Sequence, residues 1–447
     1  MFGGAQVAIL LGALFLMVFA GTHVAVALGV ASVLGIYLMQ GDMAVVRAFI
    51  AGTAYEALRD YVFAVIPLFM LMGDFLAKSG AAKDLFAIIN RLSRRLPGRL
   101  AIATVLANAV FAFVTGVSIA AAAAFSRIAY PEMMRHGYER RFSVGCIAGS
   151  ACLGMLIPPS VLMIVWGVLT EQAIGKIFIA GILPGFVLVA CYCAYILWVA
   201  VTSPERVGTG SAAAAARETE MDNARFPAQL VSTLLVIVLV IGILGGIWLG
   251  VFTPTEGAGV GAAAALAIAL FKGMQARQLF EVILSVGRTS APLLLLLFCA
   301  QLYSRVLSMT GITGMAKEFF VGSGLGPWGV LAVMVGIWFV LGCIIDSISI
   351  ILLTVPVFAP VAMALGFDPL AFAILGILAI ETGLLTPPFG LLVFTVKTAL
   401  PDEGLTLAEI FRGAIPYWIC LLIVLVVIAV FPQIATWLPQ AGLALAK

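Results

Sequence analysis

The chain has 447 residues, 63% of them hydrophobic and only 10% charged, whereas a soluble domain carries about 25% charged residues. The formal net charge of +3 is spread over short polar segments, so the composition points to no nucleic-acid partner and excludes an ordinary soluble enzyme. What remains is an all-α polytopic membrane protein.

Taken in chain order, apolar runs long enough to cross a bilayer fall at 5–20, 23–40, 62–77, 143–171, 178–201, 228–249, 255–271, 289–308, 368–396 and 413–437, about ten spans. The first lacks a basic n-region and a cleavage site and reads as a retained span, not a signal peptide. Two more stretches, 100–130 and 328–362, are apolar but interrupted midway by polar residues. The amphipathic stretches 42–60 and 275–288 read either as interfacial arms or as plain loop helices. "SAAAAARETEMDNAR" within 203–227 reads as a linker. The seven cysteines all sit in apolar segments without metal-like spacing and read as small packing residues.

Basic residues set the orientation. Residues 78–99 hold Lys78, Lys83, Arg91, Arg94, Arg95 and Arg99, residues 127–141 hold Arg127, Arg135, Arg140 and Arg141, and the 203–227 segment holds Arg206, Arg217 and Arg225. With all three cytoplasmic, 100–130 enters and leaves on the same side as a re-entrant hairpin. Few positive charges (Arg47, Arg59, Lys176, Lys317 and Lys447) then lie outside, and the N-terminus is external.

The chain also repeats itself at a fixed offset. Pro131 and Pro360, Gly154 and Gly383, Pro158 and Pro387, and Pro159 and Pro388 are each 229 residues apart, as are Ser118 and Ser347 in the two interrupted stretches. An odd number of crossings separates the copies, so the second is inverted. Residues 1–202 form one inverted repeat, with hairpin 100–130 and broken helix 143–171. Residues 228–447 form the other, with hairpin 328–362 and broken helix 368–396. Inverted repeats with discontinuous helices near the midplane are the architecture of secondary transporters.

The breaks carry the chemistry. Paired prolines interrupt a helix at membrane depth, and a bilayer tolerates this only where protein or a water-lined cavity satisfies the freed backbone. The first tip offers Thr115, Gly116 and Ser118 and faces a break with Gly149, Ser150, Gly154 and Ser160. The second offers Asp346, Ser347 and Ser349 and faces Glu381, Thr382, Gly383 and Thr386. Hydroxyls, freed carbonyls and a carboxylate form a hard-oxygen set suited to Na⁺. The Na⁺ candidates are Thr115, Gly116, Ser118, Gly149 and Gly154 in the first copy, and Asp346, Ser347, Thr382, Gly383 and Thr386 in the second. Ser150, Ser160 and Glu381 are candidates for substrate contact. Asp346 reads as an ion ligand or a turn cap, and Glu381 as functional or as the structural partner of a helix end.

In "TPTEGAG" (253–259), Pro254 and Glu256 read as a capped helix start or a substrate contact, and Arg305 as a snorkelling residue or an anion attractor. An intramembrane serine protease would need a membrane-embedded histidine near Ser118. His136 lies in a charged loop and His23 in a distant turn. An intramembrane aspartyl protease would need a partner for Asp74, and a passive channel does not explain asymmetric, oxygen-rich breaks.

"GVFTPTEGAGVGA" (250–262), "YPEMMRHGYERRFSVGCIAGSACLGMLIPPSVLMIVWG" (130–167), "IFIAGILPG" (177–185) and "GLLTPPFGLLVF" (383–394) resemble the large membrane subunit of tripartite ATP-independent periplasmic (TRAP) transporters, the DctM-like permeases. The resemblance implies an elevator-type fold of the ion-transporter superfamily in a bacterial inner membrane. It also implies a small four-helix membrane subunit, a periplasmic substrate-binding protein and Na⁺-driven uptake of an organic acid. Relatives carry a more polar first tip, whereas Val117 and Ile119 here supply no side-chain oxygen. A stand-alone Na⁺- or H⁺-coupled carboxylate carrier of the same superfamily is the alternative.

Cysteines introduced at Arg94 and Glu139 are expected to react only with reagents added from the cytoplasmic side. Labelling from opposite faces would make 100–130 a full span.

Overall fold

The computed structural model describes residues 4–208 and 212–445, with side chains over 6–208 and 226–441. Its first half runs α1 (Gly4–Phe19), α2 (Val24–Gln40), α3 (Met43–Arg59), α4 (Val62–Lys78), α5 (Ala81–Leu92), α6 (Arg99–Thr115), α7 (Ser118–Arg135), α8 (Arg140–Ala151), α9 (Leu153–Leu156), α10 (Val161–Thr170) and α11 (Ile174–Thr202). After a 3-10 turn at Pro204–Val207 come α12 (Ala212–Trp248), α13 (Pro254–Phe271), α14 (Ala276–Thr310), α15 (Ile312–Gly322), α16 (Gly326–Gly342) and α17 (Ser347–Ala364). The chain closes with α18 (Pro369–Gly383), a 3-10 turn that follows α19 (Leu391–Ala399), α20 (Leu407–Val430) and α21 (Gln433–Leu445). Every regular element among the described residues is helical. Seven stretches are long and apolar enough to cross a membrane, eight if the bent pair α3–α4 counts as one span, and shorter apolar helices accompany them. The chain is a multi-pass membrane protein.

Two segments differ in form from the sequence reading. Residues 212–227 are not an irregular linker but the start of α12, as their alanines favour. Residues 209–211 of that segment, and Lys447, lie outside the described residues. The stretch 275–288 is no separate arm but the first third of α14, whose 35 residues span about 52 Å at 1.5 Å each. Its counterpart 42–60 does form a separate helix, α3, which meets α4 at a 49° bend.

Polar ties hold the peripheral helices. Arg305 on α14 pairs with Glu56 on α3 and donates to Thr53 Oγ1 at 3.2 Å, so its charge is spent on a neighbouring helix. Lys78 on α4 pairs with Glu281 on α14 at 3.4 Å. Lys272 at the end of α13 pairs with Asp84 on α5 and donates to Ser232 on α12 at 2.9 Å. The "TPTE" motif is a complete capping box: Glu256 N donates to Thr253 Oγ1 at 3.3 Å, and Thr253 N donates to Glu256 Oε2 at 2.8 Å.

The centre is built from α8 and α18, both almost wholly buried. Helices in lipid associate through close packing of small residues. α8 meets α20 where a Cβ on Gly145 would lie 2.0 Å from Gly413 O, and α16 meets α18 where a Cβ on Gly342 would lie 2.7 Å from Gly383 Cα. Trp166 of α10 packs on Trp338 of α16 and Phe372 of α18 with ring centroids 6.1 and 5.8 Å apart, joining the two halves.

Gly145→Ala places a methyl group against backbone that has no room to yield. It is expected to exceed the roughly 1–3 kcal/mol of ordinary overpacking. Thermal unfolding of detergent-solubilised protein checks this, with Gly336→Ala as control, since nothing lies within 4 Å of a Cβ there. Equal melting temperatures for the two variants would contradict the crossing.

Candidate functional site

Two helical hairpins meet at the centre. The first, α6–α7, turns at Gly116 and Val117, and Gly116 has φ +60, a left-handed conformation that suits glycine. A Cβ there would lie 2.4 Å from Pro159 O, so the tip is in contact with the broken helix α9–α10. Val161 N donates to Gly116 O at 3.2 Å and stitches the two together. Gly154 closes the same cradle: its Cβ would lie 3.0 Å from Ser118 N and Cα. The second hairpin, α16–α17, turns through Cys343–Asp346.

Both helices opposite the tips are interrupted. α9 ends at Leu156, and α10 restarts at Val161 with Ser160 Oγ accepting from Met163 N at 3.4 Å. α18 ends at Gly383, and α19 restarts at Leu391. The Pro158–Pro159 and Pro387–Pro388 peptide bonds are both cis. Pro158 has no N–H to offer the carbonyl of Gly154 four residues back, and Gly154 lies against Ser118 of the first tip.

Glu381 brings the two copies together. It is 1% exposed, on the last turn of α18. Ser118 Oγ donates to its Oε2 at 2.6 Å and Ser347 Oγ to its Oε1 at 3.3 Å. The first residue of α7 and the first residue of α17 thus share one carboxylate. The thiol of Cys152 donates to the Glu381 backbone carbonyl at 3.8 Å, and Cys152 stands 229 residues before Glu381, the repeat offset.

The remaining candidates are placed as follows. Thr115 Oγ1 donates to Phe111 O at 3.2 Å within α6. Asp346 is exposed and turned onto its own helix, where Ser349 N donates to Oδ2 at 3.0 Å and Ser349 Oγ to Oδ1 at 2.5 Å. It caps α17, the second of its two sequence readings. Thr382 Oγ1 donates to Leu378 O at 2.6 Å. Thr386 Oγ1 donates to Thr382 O at 2.9 Å and accepts from Trp418 Nε1 at 3.0 Å. Gly383 lies against Gly342 at the root of the second tip. Gly149 and Ser150 sit apart from the Ser118–Glu381–Ser347 contact. Gly149 packs on the ring of Tyr417, and Ser150 accepts from Asn108 Nδ2 at 2.7 Å while donating to Cys146 O at 2.6 Å.

Asn108 and Cys152 carried no sequence signal as site residues. A lone asparagine or cysteine in an apolar helix shows its role only when its partner's position is known. Around Glu381 the two copies differ in exposure. Gly154 to Ser160 are buried throughout, whereas Pro387, Pro388, Phe389, Ile344 and Asp346 are exposed, together with Ile119 and Ala120 beside Ser118. Among the described residues no group of three His, Cys, Asp or Glu side chains is placed to hold a soft metal.

The family described as "Tripartite ATP-independent periplasmic transporter, DctM component" matches residues 11–434. The C4-dicarboxylate TRAP transporter large permease protein DctM of Pseudomonas aeruginosa is 34% identical over 419 residues, 92% of this chain and 93% of that protein. The ectoine/5-hydroxyectoine TRAP transporter large permease protein UehC of Ruegeria pomeroyi is 32% identical over 413 residues, 91% of this chain and 92% of that protein. Among solved structures, the YdaH transporter of Alcanivorax borkumensis shares the fold, with TM-score 0.57 and 16% identity, covering 91% of this chain and 90% of that one.

The cap on α17 has a direct test. Asp346→Ala is expected to lose about 1 kcal/mol of stability, while Asp346→Asn and Asp346→Ser keep a capping oxygen and stay near wild type. Thermal unfolding of the detergent-solubilised variants is the measurement, and a wild-type melting temperature in Asp346→Ala would contradict the cap.

Proposed function

Because the chain belongs to the DctM family of tripartite ATP-independent periplasmic transporters, we propose that it is the large membrane subunit of a Na⁺-driven importer of an organic acid. The observation that carries this reading is the meeting of two hairpin tips and two interrupted helices on Glu381. A hard, weakly held cation needs a cluster of neutral and anionic oxygens in a protein-lined break. The fit is best at the first tip, where Gly116 and Gly154, having no Cβ, let the tip and the broken helix approach closely enough to bring Pro159 O and Ser118 together. Ser118, Gly116, Gly154 and Thr115 would hold one ion. Ser347, Thr382, Gly383 and Thr386 would hold the other. The ions supply positive charge beside Glu381 and so let an anionic substrate approach the starts of α7 and α17.

The hairpins and broken helices then form a block that moves against a scaffold of peripheral helices, α3, α4, α12, α13 and α14 among them. Delivery falls to a periplasmic binding protein, and a small four-helix subunit completes the membrane complex in a bacterial inner membrane. The two relatives above are named for a C4-dicarboxylate and for ectoine, both bearing carboxylates, which supports an acid substrate without choosing one.

Reconstitution of the chain with its small subunit and candidate binding proteins tests the reading. Uptake is expected to require both an inward Na⁺ gradient and a loaded binding protein. Robust uptake by this chain alone would favour a stand-alone carrier, and uptake indifferent to Na⁺ would remove the ion from the mechanism.

A further inference from the structure

We infer that Glu381 is not a substrate contact but a positioning residue that couples the two ion sites, by holding the hydroxyl protons of Ser118 and Ser347 at once. The inference rests on the sodium reading above. A serine hydroxyl has one proton and two lone pairs. With its proton committed to a carboxylate oxygen, the lone pairs of Oγ point elsewhere and are available to a hard cation. Ser118 is bound in this way at 2.6 Å and Ser347 at 3.3 Å, each to a different oxygen of the same group. Partners behind a metal's direct ligands commonly fix ligand orientation, and their loss typically costs about 10–100-fold in affinity. Here one such partner serves two ligands from the two copies of the repeat.

Three further observations assign the role to Glu381. At 1% exposure it is enclosed by protein, whereas Ile119 beside Ser118 and Phe389 beyond the second break are exposed. Its carboxylate is held by the two serines, and it forms no ion pair with any Lys, Arg or His among the described residues. Its backbone carbonyl is held by Cys152, the residue at its own position in the first copy, so the group sits where the two copies join. Ordering one tip on this carboxylate fixes it for the other tip. That is a coupling free energy between two sites, and it acts reciprocally.

The chemistry of a single substitution makes the proposal sharp. Glutamine at this position keeps one accepting oxygen but replaces the other with an NH₂ donor. One serine still directs its proton inward. The other now receives a hydrogen on Oγ, which consumes a lone pair that the cation would use. Glu381→Gln therefore spoils one site, spares the other and uncouples them. Glu381→Ala removes the anchor from both.

The experiment is a Na⁺ titration of the purified full-length chain in nanodiscs, read by Na⁺-dependent thermal stabilisation and calorimetry, with choline as the control cation. Wild type is expected to bind Na⁺ with a Hill coefficient approaching about 2, and Glu381→Gln with one near about 1 and a midpoint at least about tenfold higher. Combining Glu381→Gln with Ser118→Ala and with Ser347→Ala should show that one serine no longer matters. A wild-type Hill coefficient and midpoint in Glu381→Gln would overturn the coupling role while leaving the sodium sites intact. No Na⁺ response in wild type would instead overturn the sodium reading and this inference with it. If Glu381→Gln fails to fold, Ser118→Ala decides: its remaining site must bind Na⁺ more weakly than in wild type, and an unchanged affinity there overturns the proposal.

Discussion

A backbone that leaves the helix inside a bilayer must have its freed polar groups satisfied by protein, because lipid offers no partner. The centre of this molecule is organised by that constraint. The break after α9 is closed by the tip of α6–α7, through Val161 N on Gly116 O and through glycine surfaces at Gly116 and Gly154. The break after α18 is held by local bonds, Thr386 N to Gly383 O at 2.9 Å and Leu392 N to Leu384 O at 3.3 Å, and by Trp418 on Thr386. Enclosure requires close approach, which explains the glycines at Gly145, Gly342, Gly383 and Gly413. Each sits where a neighbouring backbone leaves no space for a side chain.

The same requirement makes the two copies unequal. The end of α6 is packed: Gly73 of α4 lies so close to Val114 that an added Cβ would be 2.7 Å from its carbonyl oxygen. Phe113 and Pro159 line a small gap against Leu239, Val240 and Ile243 of α12. The second copy turns Pro387, Pro388 and Phe389 outward, and Phe389 is 54% exposed. One sequence pattern used twice thus yields one sealed break and one open one. The copies also differ in sequence here, since buried Ser160 is matched at the offset by exposed Phe389.

Much of this was legible from residue spacing. The 229-residue offset marked Ser118 and Ser347 as equivalents, and polar interruptions placed both hairpins close to their observed turns. What spacing lacks is depth and direction. Asp346 reads from sequence as either an ion ligand or a turn cap, and only the fold shows its carboxylate accepting from Ser349. Glu381 looked ambiguous because its significance is a three-body contact among residues from α7, α17 and α18, which no local pattern encodes. Short helices such as α5, α15 and α21 escaped notice because each is too brief to register as a span. The segment before Phe226 is polar enough to resemble a linker, yet it is helical, as its alanines favour.

The departure of Asp346 from the repeat also has a physical consequence. Its counterpart at the offset is Val117, which caps nothing with its side chain, so α17 carries a capping carboxylate of its own that α7 lacks. Yet both helices open with the serine that reaches Glu381. The two tips therefore agree in the group that points inward and disagree in the charge that faces outward. The two tips thus share one buried joint, while only the second carries a carboxylate on its exposed side.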